Sequence, residues 1–209
     1  MDWENVLWRF KNEPEWAALI VLVIVAVSAG GYFYYQSITG DGEVEEYFNR
    51  VFVQYVQASQ TGDYEQVVQQ FQRLQGQFPD SNVRDKIYFF LGKSYFETGE
   101  FREAIQQFLA ITRRFPDSFF YNSAHLHAGY CFYQLGQYQE AANHFQQLTA
   151  LDRDNPIRLE ALWQKAFVMN MAGDSETAVK ALEELLETAS DQDSYWVQRA
   201  RELLSQLAG

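Results

Sequence analysis

A column of four glycines constrains the fold of this chain more strongly than any other feature of its sequence. The glycines are spaced 37 residues apart, at Gly62, Gly99, Gly136 and Gly173. Further columns keep this spacing; they are Tyr64, Phe101, Tyr138 and Ser175; Val67, Ala104, Ala141 and Ala178; Phe71, Phe108, Phe145 and Leu182; Leu74, Ile111, Leu148 and Leu185; and Asp80, Asp117, Asp154 and Asp191. Self-similarity at a fixed period of this length indicates an array of repeated supersecondary units.

One unit has the sequence pattern of two helices joined by a turn. Apolar residues recur at helical spacing on both sides of the glycine, which can take the left-handed conformation that ends a helix. The tetrapeptide FPDS occurs at Phe78–Ser81 and again at Phe115–Ser118, and its proline ends the second helix. Asp63 and Asp174 are expected to cap second helices. Each unit is therefore predicted to be a helix–turn–helix hairpin.

These residues resemble the tetratricopeptide repeat, which has a small residue at position 8, an aromatic at 11, an alanine at 20 and an aromatic at 24. The two middle copies match through Gly92, Tyr95, Ala104 and Phe108, and through Gly129, Phe132, Ala141 and Phe145. The outer copies are looser. The 37-residue period, longer than the usual unit of about 34 residues, is similar to the variant found in bacterial envelope proteins. The resemblance implies an all-α superhelical solenoid of about four repeats followed by a capping helix.

The chain divides into an N-terminal part and a repeat domain. We expect a short N-terminus over 1–15, a transmembrane helix over 16–36, a linker over 37–42 and the repeat domain over 43–209. The repeats are expected at about 48–81, 85–118, 122–155 and 159–192, with the cap over 193–207.

The predicted transmembrane helix contains twenty uncharged residues, Trp16–Tyr35. A helix of this length spans about 30 Å, the hydrocarbon thickness of a bilayer. A patch of small residues predicts close packing on another membrane helix; it consists of Ala26, Ser28, Ala29, Gly30 and Gly31. A cleaved signal peptide is the alternative, since Val27-Ser28-Ala29 has the small residues that a signal peptidase accepts.

The distribution of basic residues predicts the orientation of the span. Arg9 and Lys11 precede it, whereas residues 36–49 contain neither lysine nor arginine. Because cytoplasmic flanks are enriched in these residues, we expect a cytoplasmic N-terminus and repeats on the opposite side. With the resemblance to envelope proteins, this predicts a single-pass protein of the bacterial inner membrane with a periplasmic repeat domain.

Composition and motifs argue against nucleic-acid binding and catalysis. The formal charge of −12 is unfavourable for a phosphate backbone as partner. Among the candidate soft metal ligands, His127 and Cys131 lie four residues apart on one helical face and His144 lies on the next helix. A zinc site uses three or four such ligands, so Cys131 is expected to be a small core residue. The sequence holds no phosphate loop and no nucleophile elbow. We therefore expect no enzyme activity, no metal and no cofactor.

The resemblance also implies a binding surface, because certain positions of the first helix in each repeat face a concave groove in this family. Carried over, these positions form what we call the aromatic strip: Phe52, Phe89, Lys93, Phe96, Leu126, Tyr130, Tyr133, Trp163, Phe167 and Met171. Such a strip is suited to an amphipathic helix or an extended apolar peptide. The alternative is that several of its members pack against each other or against the capping helix.

Two functions follow as expectations. The first is a membrane-anchored scaffold that binds exported polypeptides or a membrane complex in cell-envelope protein export, folding or assembly. The layout is similar to that of the ancillary subunit of the Sec translocon, and the lipid bilayer is contacted through 16–36. The second is a structural subunit of a stable membrane complex, held there by its transmembrane helix.

Overall fold

The computed structural model describes residues 41–153, 155–191 and 194–207, and these residues form nine α-helices. The helices are α1 Asp41–Thr61, α2 Glu65–Gln77, α3 Arg84–Glu97, α4 Phe101–Arg114, α5 Tyr121–Gln134, α6 Tyr138–Thr149, α7 Pro156–Met171, α8 Ser175–Thr188 and α9 Tyr195–Leu207. The chain divides into two compact units, Met1–Tyr47 and Phe48–Gly209, and the repeats lie in the second.

The second unit is an all-α solenoid of helix–turn–helix hairpins, as predicted. From α2 to α9 each helix packs on the next, and the first helices of neighbouring hairpins also meet, since α3 contacts α5 and α5 contacts α7. The ring of Phe48 on α1 lies 6.0 Å from that of Phe71 on α2, which closes the first hairpin. The last helix, α9, packs on α8 and α7 and is therefore the predicted cap.

The turn inside each hairpin depends on the glycine column. Gly62, Gly99, Gly136 and Gly173 have φ angles of 79°, 81°, 72° and 84°, which is the left-handed region. Three of the turns close with an equivalent backbone hydrogen bond; these bonds run from Glu100 N to Tyr95 O, from Gln137 N to Phe132 O and from Asp174 N to Met169 O, at 2.8–2.9 Å. This is the bond of a Schellman motif, which strongly favours glycine at its left-handed position.

The ends of the second helices confirm one predicted cap and correct the other. Asp174 Oδ1 accepts a hydrogen bond from Thr177 N at 3.0 Å, and this backbone bond holds the pKa of Asp174 below its usual value. The prediction for Asp63 is wrong. Helix α2 begins at Glu65 with Tyr64 as its N-cap, so Asp63 lies one residue too early to reach the free N–H groups of the first turn.

Both FPDS segments end a second helix, as predicted. The C-caps of α2 and α4 are the phenylalanines Phe78 and Phe115, with nearly the same backbone angles (φ −126°, ψ 62° and φ −133°, ψ 63°). In each segment the serine N–H bonds back to the carbonyl of that phenylalanine, at 3.4 Å for Ser81 and 3.0 Å for Ser118. The two segments are therefore the same corner built twice.

The core follows the sequence columns. The fully buried members are Phe71, Phe108, Phe145 and Leu182; Leu74, Ile111, Leu148 and Leu185; and Ala104, Ala141 and Ala178. Two glycines of the first helices make room for these rings. A Cβ on Gly92 would lie 2.8 Å from the Phe108 ring, and one on Gly129 would lie 2.5 Å from the Phe145 ring. The middle hairpins therefore close on a glycine–phenylalanine contact between α3 and α4 and between α5 and α6.

The predicted span over 16–36 and its patch of small residues lie outside the described residues. None of the described helices is both long and apolar enough to cross a membrane. Helix α1 begins at Asp41, so the last two residues of the predicted linker 37–42 are helical.

Candidate protein-binding surface

The aromatic strip is spread over the first helices α1, α3, α5 and α7. Met171 is the most accessible of its members, with 49% of its surface exposed. Seven members are partly exposed: Phe52, Phe89, Lys93, Phe96, Tyr130, Tyr133 and Phe167. The other two, Leu126 and Trp163, are only 7% and 8% exposed. Eight of the ten predicted side chains are therefore accessible to a partner.

Ring contacts connect the strip from one first helix to the next. Phe52 on α1 lies edge-on to Phe90 on α3, with ring centroids 4.9 Å apart. Phe89 on α3 lies 5.6 Å from the ring of His127 on α5. Tyr133 on α5 lies 5.6 Å from Phe167 on α7. Edge-to-face pairs at these distances are favourable and hold the rings in place. Neighbouring first helices are therefore linked by ring contacts, which pass through Phe90 and His127 at two of the three junctions.

Tyr130 is a strip member whose side chain forms hydrogen bonds to the next first helix. Its hydroxyl donates to Glu160 Oε1 and accepts from Gln164 Nε2 at 3.0 Å, so both partners come from α7. Burial, together with the bond to Glu160, raises the pKa of Tyr130, and the phenol stays protonated at physiological pH. The same bonds fix α5 against α7 at the middle of the strip.

Lys93 is the strip's one charged member. Its Nζ lies 3.9 Å from Glu97 Oε1 and 5.9 Å from the centroid of the Phe96 ring. Lys86 lies about two helical turns earlier on α3, and its Nζ is likewise 5.9 Å from the centroid of the Phe48 ring. Both ammonium groups lie over aromatic faces, where the ring quadrupole attracts a cation.

At Trp163 the strip is covered by the capping helix. Trp163 stacks on Phe167 with centroids 5.1 Å apart, and it also contacts Trp196 of α9 at 5.7 Å. The guanidinium carbon of Arg199 lies 5.2 Å from the Trp163 ring centroid. For Trp163, the alternative interpretation of packing against the cap is therefore the correct description. Between α7 and α9 there remains a small cleft of about 70 Å³, lined by Trp163, Phe167 and Arg199 among others.

The histidines and the cysteine do not form a single cluster. His144 is paired with His125, whose Nδ1 lies 3.1 Å from Nδ1 of His144, while His127 Nδ1 donates to the Ser123 carbonyl at 2.9 Å. In the described part of the chain, no three or more His, Cys, Asp or Glu side chains are grouped to hold a metal ion. The His125–His144 pair has no signal in the sequence, because it depends on how α5 turns toward α6.

Burial keeps these groups in their uncharged forms. It lowers the pKa of His127 to about 4 and that of His144 to about 4, with Lys93 and His125 as the next contributors. It raises the pKa of the Cys131 thiol to about 12. Cys131 is fully buried, as expected for a core residue, and its thiol is protonated at neutral pH. A protonated, buried thiol is a poor nucleophile.

Comparison with known proteins agrees with this helical-repeat architecture. Two models described as tetratricopeptide repeat match the chain, one at residues 89–156 and the other at residues 160–191. The hairpins within these two ranges therefore match the tetratricopeptide repeat, whereas α1 and α2 lie outside both matches. None of the curated protein sequences compared with the chain matches it.

Solved structures share the fold at low sequence identity. A tetratricopeptide repeat protein from Parabacteroides merdae aligns with TM-score 0.63 and 15% identity over 78% of this chain and 61% of that one. The chain thus spans about three fifths of that protein's length. MamA from Desulfovibrio magneticus RS-1 aligns with TM-score 0.58 and 16% identity over 70% of this chain and 78% of that one. The nearly identical TPR-like repeats assigned to a kinesin light chain from Podosopora anserina align with TM-score 0.62 and 18% identity, over 81% and 94%.

Proposed function

We propose that this protein is a membrane-anchored scaffold that binds other proteins or peptides through the aromatic strip, in cell-envelope protein export, folding or complex assembly. One observation carries the proposal: eight of the ten strip side chains are accessible, and ring contacts to the next first helix already hold several of them in place. Rings that are ordered before binding lose little conformational entropy when a partner covers them.

The energetics favour an apolar partner segment. Full burial of an exposed large apolar side chain contributes about 1.5–3 kcal/mol, covering a partly exposed one contributes less, and a few such anchors carry most of the affinity of an interface. Phe96, Tyr133 and Met171 lie on three successive first helices, so one partner segment running across the helices contacts all three. The segment presents apolar residues to these three side chains and a hydrogen-bonding group to Tyr130 and Glu160.

The N-terminal sequence supports the membrane part of the proposal. The uncharged stretch Trp16–Tyr35 has the length of a membrane span, and Arg9 and Lys11 before it favour a cytoplasmic N-terminus. Anchoring raises the local concentration of the strip at a membrane partner. The layout is similar to that of the ancillary subunit of the Sec translocon, and this likeness is why we place the scaffold near protein export.

Site-specific photo-crosslinking in cells tests the strip directly. A crosslinking amino acid is placed at Phe96, Tyr133 or Met171, and at the exposed Gln147 on α6 as a control on a second helix. We expect the three strip positions to give adducts of the same masses and Gln147 to give none of them. Adducts of equal yield at Gln147, or adducts found there alone, would contradict the proposal. Trp163 is unsuitable as a crosslinking position because α9 covers it.

A second candidate function is a structural subunit of a stable membrane complex. The patch of small residues at Ala26–Gly31 favours it, since such patches let transmembrane helices approach closely. Detergent extraction followed by salt washing separates the two functions. A stoichiometric companion that is retained identifies the structural subunit, whereas a weak and heterogeneous set of clients identifies the scaffold.

A further inference from the structure

Glu160 places a carboxylate on α7 directly beside the aromatic strip. Its Oε1 accepts the hydrogen bond from the Tyr130 hydroxyl on α5. Gln164, Phe167 and Met171 follow it by four, seven and eleven positions, so all four residues share one face of the helix. At a rise of about 1.5 Å per residue, Glu160 lies about 10 Å from Phe167 along the axis of α7.

The repeat architecture does not require an acid at this position. The equivalent residues of α5, α3 and α1, at steps of 37 residues, are Ser123, Lys86 and Asn49. The bond to Tyr130 needs only an acceptor, which the neutral side chain of a glutamine also supplies. Neither the fold nor the contact between α5 and α7 therefore explains the negative charge.

Glu160 has no cationic partner in the described part of the chain. No lysine or arginine there forms an ion pair with it, whereas Glu97 on α3 has Lys93 Nζ at 3.9 Å. Glu160 is partly exposed. Its second oxygen, Oε2, accepts no hydrogen bond from a described residue and is not fully buried. A partner that lies on the strip can therefore reach this oxygen.

A partner that covers the strip must also accommodate this charge. Apolar groups placed over a carboxylate remove its hydration without replacing it, which is unfavourable. A guanidinium or ammonium group replaces the lost hydrogen bonds, and the neighbouring rings of the strip favour it because aromatic faces attract cations. The formal charge of −12 on the whole chain also favours the approach of a positively charged segment.

We propose that the partner segment of the aromatic strip carries an arginine or lysine that pairs with Glu160. This inference rests on the proposed function, since it names the chemistry of the segment that the strip binds. Arginine is the expected residue, because its guanidinium matches a carboxylate in a bidentate geometry and stacks on aromatic rings. In an extended segment the cation lies about three residues from the residue that covers Phe167 and about five from the one that covers Met171.

Peptide binding to the purified full chain tests this pairing. Four fluorescently labelled peptides have phenylalanine three residues and leucine five residues after one variable position, which is arginine, lysine, glutamine or glutamate. Fluorescence anisotropy should show the arginine or the lysine peptide binding about tenfold or more tightly than the glutamine peptide, and the glutamate peptide binding most weakly. The tighter of the first two identifies the cation. Equal affinity of the arginine, lysine and glutamine peptides, or no binding of either cationic peptide, would overturn the proposal.

Matched variants assign the preference to Glu160. Glu160→Gln keeps an acceptor for Tyr130 and removes the charge, so it should abolish the preference for the cationic peptides. Glu160→Lys should reverse it, with the glutamate peptide binding most tightly. Glu140→Gln removes an exposed acid of the second helix α6 and should leave the preference unchanged. A preference that survives Glu160→Gln, or that is lost equally in Glu140→Gln, would show that the overall charge of the chain selects the cation.

The variant Met171→Gln separates this inference from the proposed function. Met171 is the most accessible member of the strip, so its change to a polar residue should weaken the binding of all four peptides without unfolding the protein. Weaker binding in Met171→Gln together with equal affinities for the four peptides would contradict the pairing with Glu160 alone. Unchanged affinities in Met171→Gln would contradict the strip as the binding surface, and the pairing with it.

Discussion

The second helices and the first helices of this protein use the same 37-residue period in different ways. On the second helices, Phe71, Phe108 and Phe145 occupy one column, and all three are fully buried. On the first helices, the column that contains Lys93 continues as Tyr130 and Phe167, a cation, a phenol and a plain ring, all partly exposed. The second helices, which we call the periodic side, keep the same type of residue because it must fill the same space in each hairpin. The partly exposed column of the first helices changes its type of residue from repeat to repeat.

The contrast has a physical basis. A core at crystal-like packing density tolerates little change of volume, so the residues that meet inside a hairpin are fixed by shape. A partly exposed position is bounded on one side by solvent, so side chains of different size and polarity fit there. Loss of stability on the periodic side and loss of binding on the aromatic strip are therefore the expected signatures of substitution.

The largest effect is expected for Phe145→Ala. The ring is fully buried, and its removal leaves a cavity, so the free energy of unfolding should fall by about 3–5 kcal/mol. The matched change Phe96→Ala removes a partly exposed ring of the strip and should cost only about 1 kcal/mol. Urea unfolding followed by circular dichroism measures both. Equal losses of unfolding free energy in the two variants would mean that Phe96 belongs to the core, which would contradict the difference between first and second helices.

The next effect concerns two glycines that differ only in their surroundings. A Cβ at Gly129 would come within 2.5 Å of the buried Phe145 ring, so Gly129→Ala should destabilise by about 1–3 kcal/mol. Gly76 lies in α2 with no atom within 4 Å of its Cβ position, and Gly76→Ala should stabilise by up to about 1 kcal/mol. Thermal unfolding of the two variants gives opposite shifts on this account. Unchanged thermal stability in Gly129→Ala would show that the Phe145 ring moves aside freely.

A smaller effect is expected from pH. The pKa of His127 in the folded chain is about 4, below the value of about 6.5 in an unfolded chain. As the pH falls, the unfolded state binds the proton first, so stability decreases. From about pH 8 to about pH 6, His127 should account for roughly 1 kcal/mol of this loss.

The variant His127→Gln should remove that share of the pH dependence, as measured by urea unfolding at several pH values. Part of the slope remains, because burial also lowers the pKa of His125 and His144. An unchanged slope in His127→Gln would show that this histidine titrates normally in the folded chain.

Local signals in the sequence predicted the hairpins well. The left-handed glycines and the FPDS prolines act through their own backbone, so Gly99 and Pro116 end helices wherever they occur in such a pattern. The buried columns were also predictable, because periodicity states which residues share a face. The Asp63 cap failed for a local reason, since the start of a helix is uncertain by a residue or two and a cap depends on its exact position.

The site was harder to predict because it depends on contacts between helices. The sequence predicted Trp163 as an accessible member of the strip, but the packing of α9 shows that Trp196 and Arg199 cover it. The cleft between the two FPDS corners was missed for a similar reason. The sequence shows that FPDS occurs twice, whereas the unpaired atoms of Ser81 and Arg84 become evident only when the two corners are side by side.

The central claim is that the aromatic strip binds protein partners while the periodic side holds the fold. Its most direct test is the affinity of the double variant Phe96→Ala/Tyr133→Ala for the partner captured by crosslinking, with the unfolding free energy measured on the same protein. We predict that the affinity falls by about tenfold or more, because two anchors are lost, while the protein stays folded and keeps most of its stability. Wild-type affinity in a folded double variant would contradict the claim.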